Sequence, residues 1–168
     1  MSVIANTTII SNFASLEALN LLRHCWPDLH ISEQVFTEIQ AGLEQGYTFY
    51  TGIDQLLFPL AKDGWLQLTS MQTEAERILY GGLLGKLHHG EASCLAIAHE
   101  RKWIFLTDDK AARAAGKRLQ IPISGTLGSL VRLIKQEQLS FDEAENMLKT
   151  LIANDYYAPV NSLKEIDF

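Results

Sequence analysis

The stretch WIFLTDDKAARAAGKRLQIPISGTLGSLVRLIKQEQ, residues 103–138, indicates the fold most directly. It begins with the clearest strand in the chain, WIFLT, which ends at Asp108 and Asp109, and these open the helix KAARAAGKRLQ. A second short strand, IPISG, leads into another helix, GTLGSLVRLIKQEQ. Strands that alternate with helices predict an α/β fold, with a mostly parallel central sheet and helices on both faces.

The first third of the chain shows the same alternation. SVIAN predicts a strand and is followed by one helical pattern from about Ile9 to His24. DLHIS predicts a second strand, and Ser32 is a suitable N-cap for the helix SEQVFTEIQAGLEQG. Glu38 then lies at the border of the buried helix face, where it can point toward the end of the first strand.

The middle of the chain has a weaker pattern. GIDQLLFPLAKDG predicts a short helix interrupted at Pro59, and WLQLT predicts a third strand. A helix from Thr73 to Leu87 is expected to bend or break at Gly81 and Gly82. Gly90 opens the helix EASCLAIAHERK, and SFDE is a capping box for the last helix.

Composition predicts one globular domain. The chain has 168 residues, of which 47% are hydrophobic and 20% charged. We expect a single domain over residues 1–168, with a core at about 2–140 and a C-terminal helix and extension at 140–168. The two cysteines lack a CxxC spacing, and neither a signal peptide nor a membrane span is recognisable, so we expect a cytoplasmic protein with reduced thiols and no membrane partner.

Acidic residues stand where predicted elements begin or end: Glu38, Glu91 and the pair Asp108 and Asp109. A hard divalent cation needs several oxygen ligands, and carboxylates delivered by different elements can supply them. Glu91 would also be favoured by the helix dipole without any metal. One aspartate of the pair satisfies an N-cap, which leaves the second for another role.

Positive charge is concentrated close to the aspartate pair, although the whole chain has a formal net charge of −6. Eight of the fourteen Lys and Arg residues fall between Arg101 and Lys135. Such a cluster beside carboxylates suits an enzyme that acts on a polyanion. A solvated helix face is the alternative interpretation. A transition-metal site at His88, His89 and Glu91 is disfavoured because adjacent histidines point apart on a helix.

Three segments, VIANTTIISNFASLEALNLL, ISEQVFTEI and the long stretch from LHHGEASCLAIA to SGTLGSLVRLIKQ, resemble the PIN domain in order and spacing. They are similar to a prokaryotic PIN subfamily with TDD, AAR and GTLG segments. The resemblance implies a three-layer α/β/α fold whose acidic cluster binds Mg²⁺ or Mn²⁺ for phosphodiester cleavage, usually of RNA. Many relatives are toxins of bacterial toxin-antitoxin pairs and form homodimers, which implies an antitoxin partner and a homodimer.

The resemblance also implies the site residues. The first-strand acid falls on Asn6, the next two acids fall on Glu38 and Glu91, and the last falls on Asp108 or Asp109. The expected catalytic residues are all five of these positions. The expected metal ligands are Asn6, Glu91, Asp108 and Asp109, with Asp109 favoured over its neighbour by the Thr-x-Asp pattern, and Thr7 would help to order the site. Lys110, Arg113 and Lys117, at i, i+3 and i+7, would form a basic stripe that follows an RNA backbone.

Asn6 departs from the family pattern, because an amide oxygen can ligate a cation but brings no charge. The sequence therefore leaves three alternatives. The chain is a metal-dependent endoribonuclease; it is a weak or silent PIN scaffold that binds RNA or a partner protein; or the asparagine was introduced to tame a toxic nuclease.

Overall fold

The computed structural model describes residues 1–168. Its six strands are β1 (Val3–Ala5), β2 (Leu29–Ser32), β3 (Leu57–Phe58), β4 (Leu66–Thr69), β5 (Ile104–Leu106) and β6 (Ile123–Ser124). They form one sheet in the order β3-β4-β2-β1-β5-β6, and every neighbouring pair is parallel. In the centre, Ile4 is paired with His30 on one side and Phe105 on the other.

Eight α-helices surround this sheet. They are α1 (Thr7–Ser15), α2 (Leu19–Cys25), α3 (Glu33–Glu44), α4 (Glu74–Leu83), α5 (His89–Arg101), α6 (Lys110–Arg118), α7 (Thr126–Lys135) and α8 (Phe141–Ala153). Helix α5 contacts β1, β2 and β5 and is flanked by α4 and α6, whereas α2 packs against α1 and α7, and α8 packs against α7. Parallel crossovers are right-handed, so connections that leave β1 and β5 in opposite directions place helices on opposite faces. The predicted three-layer α/β/α fold is confirmed.

The central strands are buried on both faces. Val3, Ile4 and Ala5 of β1 are at most 1% exposed. A continuous apolar run of this kind is typical of a parallel strand covered by helices on both sides. Ala92 and Ala96 of α5 are fully buried, and such small side chains allow a helix to approach its neighbours closely. The strand ends that carry the acidic residues are therefore held on a rigid core.

The prediction of one continuous helix from Ile9 to His24 is wrong, because the chain forms two helices, α1 and α2, with a break between them. At the break Glu17 adopts a φ of 55°, a left-handed conformation that no α-helix can continue through. The apolar spacing runs on across this break because both helices bury residues in the same core, which include Phe13 and Leu22.

Two predictions for the middle of the chain are also wrong. The segment GIDQLLFPLAKDG contains a single 3-10 turn, Ile53–Gln55, followed by β3, rather than a helix interrupted at Pro59. Helix α4 continues through Gly81 and Gly82 but ends at Leu83, four residues before the predicted end at Leu87. Apart from the adjoining residues and the helix's own backbone, no heavy atom lies within 4 Å of a Cβ built at either glycine, so the two residues occupy an open helix face.

The C-terminal extension folds back onto its own chain. Ser140 and Glu143 form the predicted capping box at the start of α8. Glu145 of α8 accepts hydrogen bonds from Ser162 Oγ and the Leu163 amide, both at 2.7 Å. The extension is thereby fixed against α8. None of the helices is long and apolar enough to cross a bilayer.

Candidate functional site

The site lies between the carboxyl ends of β1 and β5. These strands are neighbours, but the chain leaves β1 toward β2 and leaves β5 toward β6, on the opposite side. Open parallel sheets bind ligands at such a change of direction, because the diverging connections leave a crevice there. Asn6 follows β1 directly, and Thr107 follows β5.

Asn6 is 1% exposed, and both ends of its amide form hydrogen bonds. Its Oδ1 accepts from the Ile9 amide at 3.3 Å and caps α1. Its Nδ2 donates to Thr107 Oγ1 at 2.8 Å. Thr107 Oγ1 also accepts from the Asp109 amide at 3.1 Å. The asparagine therefore joins the ends of β1 and β5, and an N-cap is the role that the structure shows for it.

Glu38 reaches from α3 to the amino end of α5. Its Oε1 accepts from the Gly90 amide at 2.9 Å, and its Oε2 accepts from the Thr7 hydroxyl. A Cβ at position 90 would lie 2.5 Å and 2.7 Å from the two carboxylate oxygens. Only glycine at position 90 allows this close approach.

Among the acidic side chains of the site, the Glu91 carboxylate has the fewest hydrogen-bond partners. Its Oε2 is buried and has no hydrogen-bond partner. Burial raises the pKa of Glu91, and the negative charges of Glu38 and Asp109 raise it further. The three carboxylates come from α3, α5 and the end of β5.

The two neighbouring aspartates have different partners. Asp109 Oδ1 accepts from the Ala112 amide at 2.7 Å and caps α6. Asp108 Oδ1 accepts from the Thr126 amide at 2.9 Å, and its Oδ2 accepts from Thr126 Oγ1 at 2.5 Å and Asn12 Nδ2 at 3.3 Å. As expected, one aspartate of the pair caps the helix that follows, and the second has another role, because Asp108 binds the amino end of α7.

The carboxylates of this site are suitable ligands for a divalent cation, chiefly because of Glu91. An unpartnered, buried carboxylate oxygen close to two further carboxylates is stabilised by a positive charge. In the present arrangement, no three His, Cys, Asp or Glu side chains lie close enough together to hold a metal ion. Glu91, Glu38 and Asp109 are the residues here that could hold a cation. The assignment of catalytic and metal-binding roles to Asn6, Glu38, Glu91, Asp108 and Asp109 stays a prediction.

The three cations of the predicted basic stripe are exposed but differ in their contacts. Arg113 Nη1 donates to the Thr107 carbonyl at 2.7 Å and the Ser124 carbonyl at 3.3 Å, and so ties together the ends of β5 and β6. Lys110 Nζ lies 5.1 Å from the centre of the Tyr157 ring. Lys117 takes part in none of the ion pairs of the protein. Arg113 thus has a structural role that spacing alone did not reveal.

Sequence reasoning missed several residues that build the site, among them Asn12, Thr107, Gly125, Thr126 and Tyr156. The GTLG segment contains Gly125, where a Cβ would lie 2.4 Å from Asp108 Oδ1. That glycine is the signal that could have located the contact between Asp108 and α7. Asn12 and Tyr156 come from distant parts of the chain and carry no such signal.

Comparison with known proteins places the chain in a family. The family model DUF3368, a PIN domain, matches residues 2–166. The chain belongs to the PIN-domain family, which confirms the resemblance seen in the sequence.

Among solved structures, the chain is similar to one in the crystal structure of VapBC2 from Rickettsia felis bound to a DNA fragment from their promoter. The two are 15% identical, with a TM-score of 0.52 over 74% of this chain and 98% of that chain. At this identity the likeness shows a shared fold. No curated protein matches the chain.

Proposed function

We propose that this protein is a PIN-type endoribonuclease that requires Mg²⁺ or Mn²⁺. The buried, unpartnered Oε2 of Glu91 beside Glu38 and Asp109 carries this proposal. A carboxylate whose pKa is raised by burial and by neighbouring negative charges, as that of Glu91 is, is costly in a purely structural role, because its ionised form is poorly solvated and repelled. A divalent cation removes that cost, and perturbed carboxylates in a crevice are typical of functional sites.

The residues of the site divide into metal ligands and groups that orient them. Glu91 and Asp109 would hold the cation, together with Glu38. Thr7 and the Gly90 amide orient Glu38, and Thr107 fixes the Asp109 amide. A bound cation supplies an activated water and stabilises charge on the phosphate. Lys110 and Lys117 lie on the exposed side of α6, where they attract phosphates.

The biological setting follows from the same family. We propose that the protein is the toxin of a toxin-antitoxin pair, that it acts on RNA in the cytoplasm, and that it forms a homodimer. The fold that it shares with a chain of the VapBC2 assembly supports this extension. An antitoxin segment with an Arg or Lys side chain would neutralise the carboxylates in place of the cation.

Calorimetry with Mn²⁺ tests the metal site. We expect the parent protein to bind Mn²⁺ and the Glu91→Gln variant to lose at least tenfold in affinity, because one charged ligand is removed. Cleavage of a labelled single-stranded RNA should fall with it. Equal Mn²⁺ affinity in the two proteins would exclude a metal site at Glu91.

A catalytically silent PIN scaffold is the second candidate, and the buried Asn6 favours it. An aspartate at this position can keep both hydrogen bonds, since the Thr107 hydroxyl can donate to it while it accepts from the Asp109 amide. We expect Asn6→Asp to raise RNA cleavage in Mn²⁺ and to lower the stability of the metal-free protein. If neither protein cleaves RNA and Mn²⁺ stabilises both equally, the scaffold is the better account.

A further inference from the structure

Two neighbouring cavities lie beside the acidic site, between the amino end of α6 and the segment that follows α8. Their volumes are about 400 and 520 Å³, and both are lined by Asp108, Lys110, Tyr156 and Tyr157. The first also has apolar walls from Ile123, Leu127 and Pro159. A volume of several hundred Å³ with apolar walls and a few polar groups is typical of a small-molecule or nucleotide pocket.

The outer wall of both cavities is fixed in place. Tyr156 is partly buried, and burial raises the pKa of its hydroxyl, with a further contribution from the charge of Asp108. Its amide donates to the Leu151 carbonyl at 2.9 Å, which ties the segment to the end of α8. Together with the bonds of Glu145 to Ser162 and Leu163, these contacts anchor the wall on both sides of Tyr157.

Tyr157 differs from its anchored neighbour because it is 79% exposed. Lys110 Nζ lies over its ring, 5.1 Å from the ring centre. Lys110 begins α6 directly after Asp109, and Asp109, Lys110 and Tyr157 line the same cavity. An exposed aromatic ring on a rigid wall, with a cation beside it, is the arrangement that recognises a single-stranded nucleotide through its base and its phosphate.

We propose that Tyr157 stacks on a base of the bound single-stranded RNA while Lys110 contacts the adjoining phosphate, so that the next phosphodiester is directed toward Glu91 and Asp109. This inference rests on the proposed ribonuclease function and assigns the residues that would hold one base and its phosphate. Tyr157 is a positioning residue, because it acts through the base and does not reach the carboxylates. Arg113 contributes charge at the rim while its Nη1 stays bound to the Thr107 carbonyl.

The test measures RNA affinity by fluorescence anisotropy, in a Glu91→Gln background that prevents cleavage. The probes are a labelled single-stranded RNA and an abasic oligomer with the same number of phosphates. We expect Tyr157→Ala to weaken RNA binding about tenfold, since base stacking on an aromatic ring contributes that much or more. Tyr157→Phe should bind RNA with an affinity within about twofold of that of the Glu91→Gln protein, which is the parent in this test. The salt dependence should not change in either variant, because no phosphate contact is lost.

Two controls separate stacking from general effects. The abasic oligomer should bind the parent and Tyr157→Ala equally, because it has no base to stack. Tyr47→Ala removes another exposed tyrosine, 52% accessible, that lines neither cavity, and it should leave RNA affinity unchanged. If Tyr157→Ala binds RNA as tightly as the parent, or loses affinity for the abasic oligomer to the same extent, stacking at Tyr157 is refuted while the ribonuclease proposal stands. If the parent binds no RNA at all, both proposals fail.

Discussion

Gly90→Ala should damage the acidic site while leaving the fold almost unchanged. In the parent, the Gly90 amide donates to Glu38 Oε1 at 2.9 Å, and an added Cβ would lie 2.5 Å from the other carboxylate oxygen. Such a separation is far below van der Waals contact, so one group has to move. The end of the Glu38 side chain is the flexible partner and will be displaced.

The expected change in stability is small because two effects oppose each other. Loss of a hydrogen bond to a charged carboxylate costs about 1.5–3 kcal/mol. Alanine in a helix gains up to about 1 kcal/mol over glycine, and Glu38 regains hydration when it moves. The free energy of unfolding should therefore fall by roughly 1 kcal/mol. Displacing a carboxylate from the site should lower Mn²⁺ affinity about 10- to 100-fold.

Calorimetry with Mn²⁺ and urea unfolding measure the two effects separately. Gly81→Ala is the matched control, because Gly81 also lies in a helix but has open space around its missing Cβ. This control should gain about 0.5–1 kcal/mol in stability and keep the Mn²⁺ affinity of the parent. If Gly90→Ala binds Mn²⁺ and cleaves RNA like the parent, Glu38 does not belong to the site.

Three further predictions concern residues around the site. Asp108→Asn should lower the free energy of unfolding by about 1–2 kcal/mol, because α7 loses its charged cap, but should change Mn²⁺ affinity less than Asp109→Asn does. Burial opposes ionisation of Glu76, but hydrogen bonds from Arg101 and from backbone amides outweigh it and hold the pKa of Glu76 below its ordinary value of 4.5. The ionised Glu76 carboxylate therefore stabilises the fold above pH 4.5, and this stabilisation is lost as the pH falls through the lower folded pKa. Glu76→Gln should lower the free energy of unfolding by about 1–3 kcal/mol at pH 7, and the difference from the parent should disappear in acid. Lys117→Gln should reduce the slope of RNA affinity against salt by about 0.7, and an unchanged slope would assign Lys117 to a solvated helix face.

The sequence could predict most of the fold because local chemistry and packing agree along most of the chain. Ser32 and Ser140 both cap helices as predicted, since their hydroxyls accept from amides three residues later. The break at Glu17 could not be predicted, because a positive φ at a glutamate is imposed by tertiary packing and leaves no trace in composition. Strand β3 was not predicted because its two residues lie within GIDQLLFPLAKDG, a segment interpreted as a short helix interrupted at Pro59.

The candidate site was less accessible to sequence reasoning than the fold. Spacing indicated that Asp108 and Asp109 follow a strand, but both can cap a helix, and the contact of Asp108 with Thr126 joins positions 18 residues apart. Likewise, the i, i+3, i+7 pattern placed Arg113 in a phosphate-binding stripe, whereas its bond to the Thr107 carbonyl depends on where β5 ends. Patterns locate residues on an element, and only the assembled fold decides which partner each one meets.

The two edges of the sheet restrict how another chain can bind. Both edge strands, β3 and β6, contain only two residues, and β3 is followed by Pro59, which has no amide hydrogen to donate. Edge strands this short offer almost no ladder for a strand from a second molecule. A peptide that docks by β-augmentation would find no template here. An antitoxin or a second copy of the chain would instead have to recognise side chains on the helices or enter the crevice itself, which makes surface shape and charge the basis of partner choice.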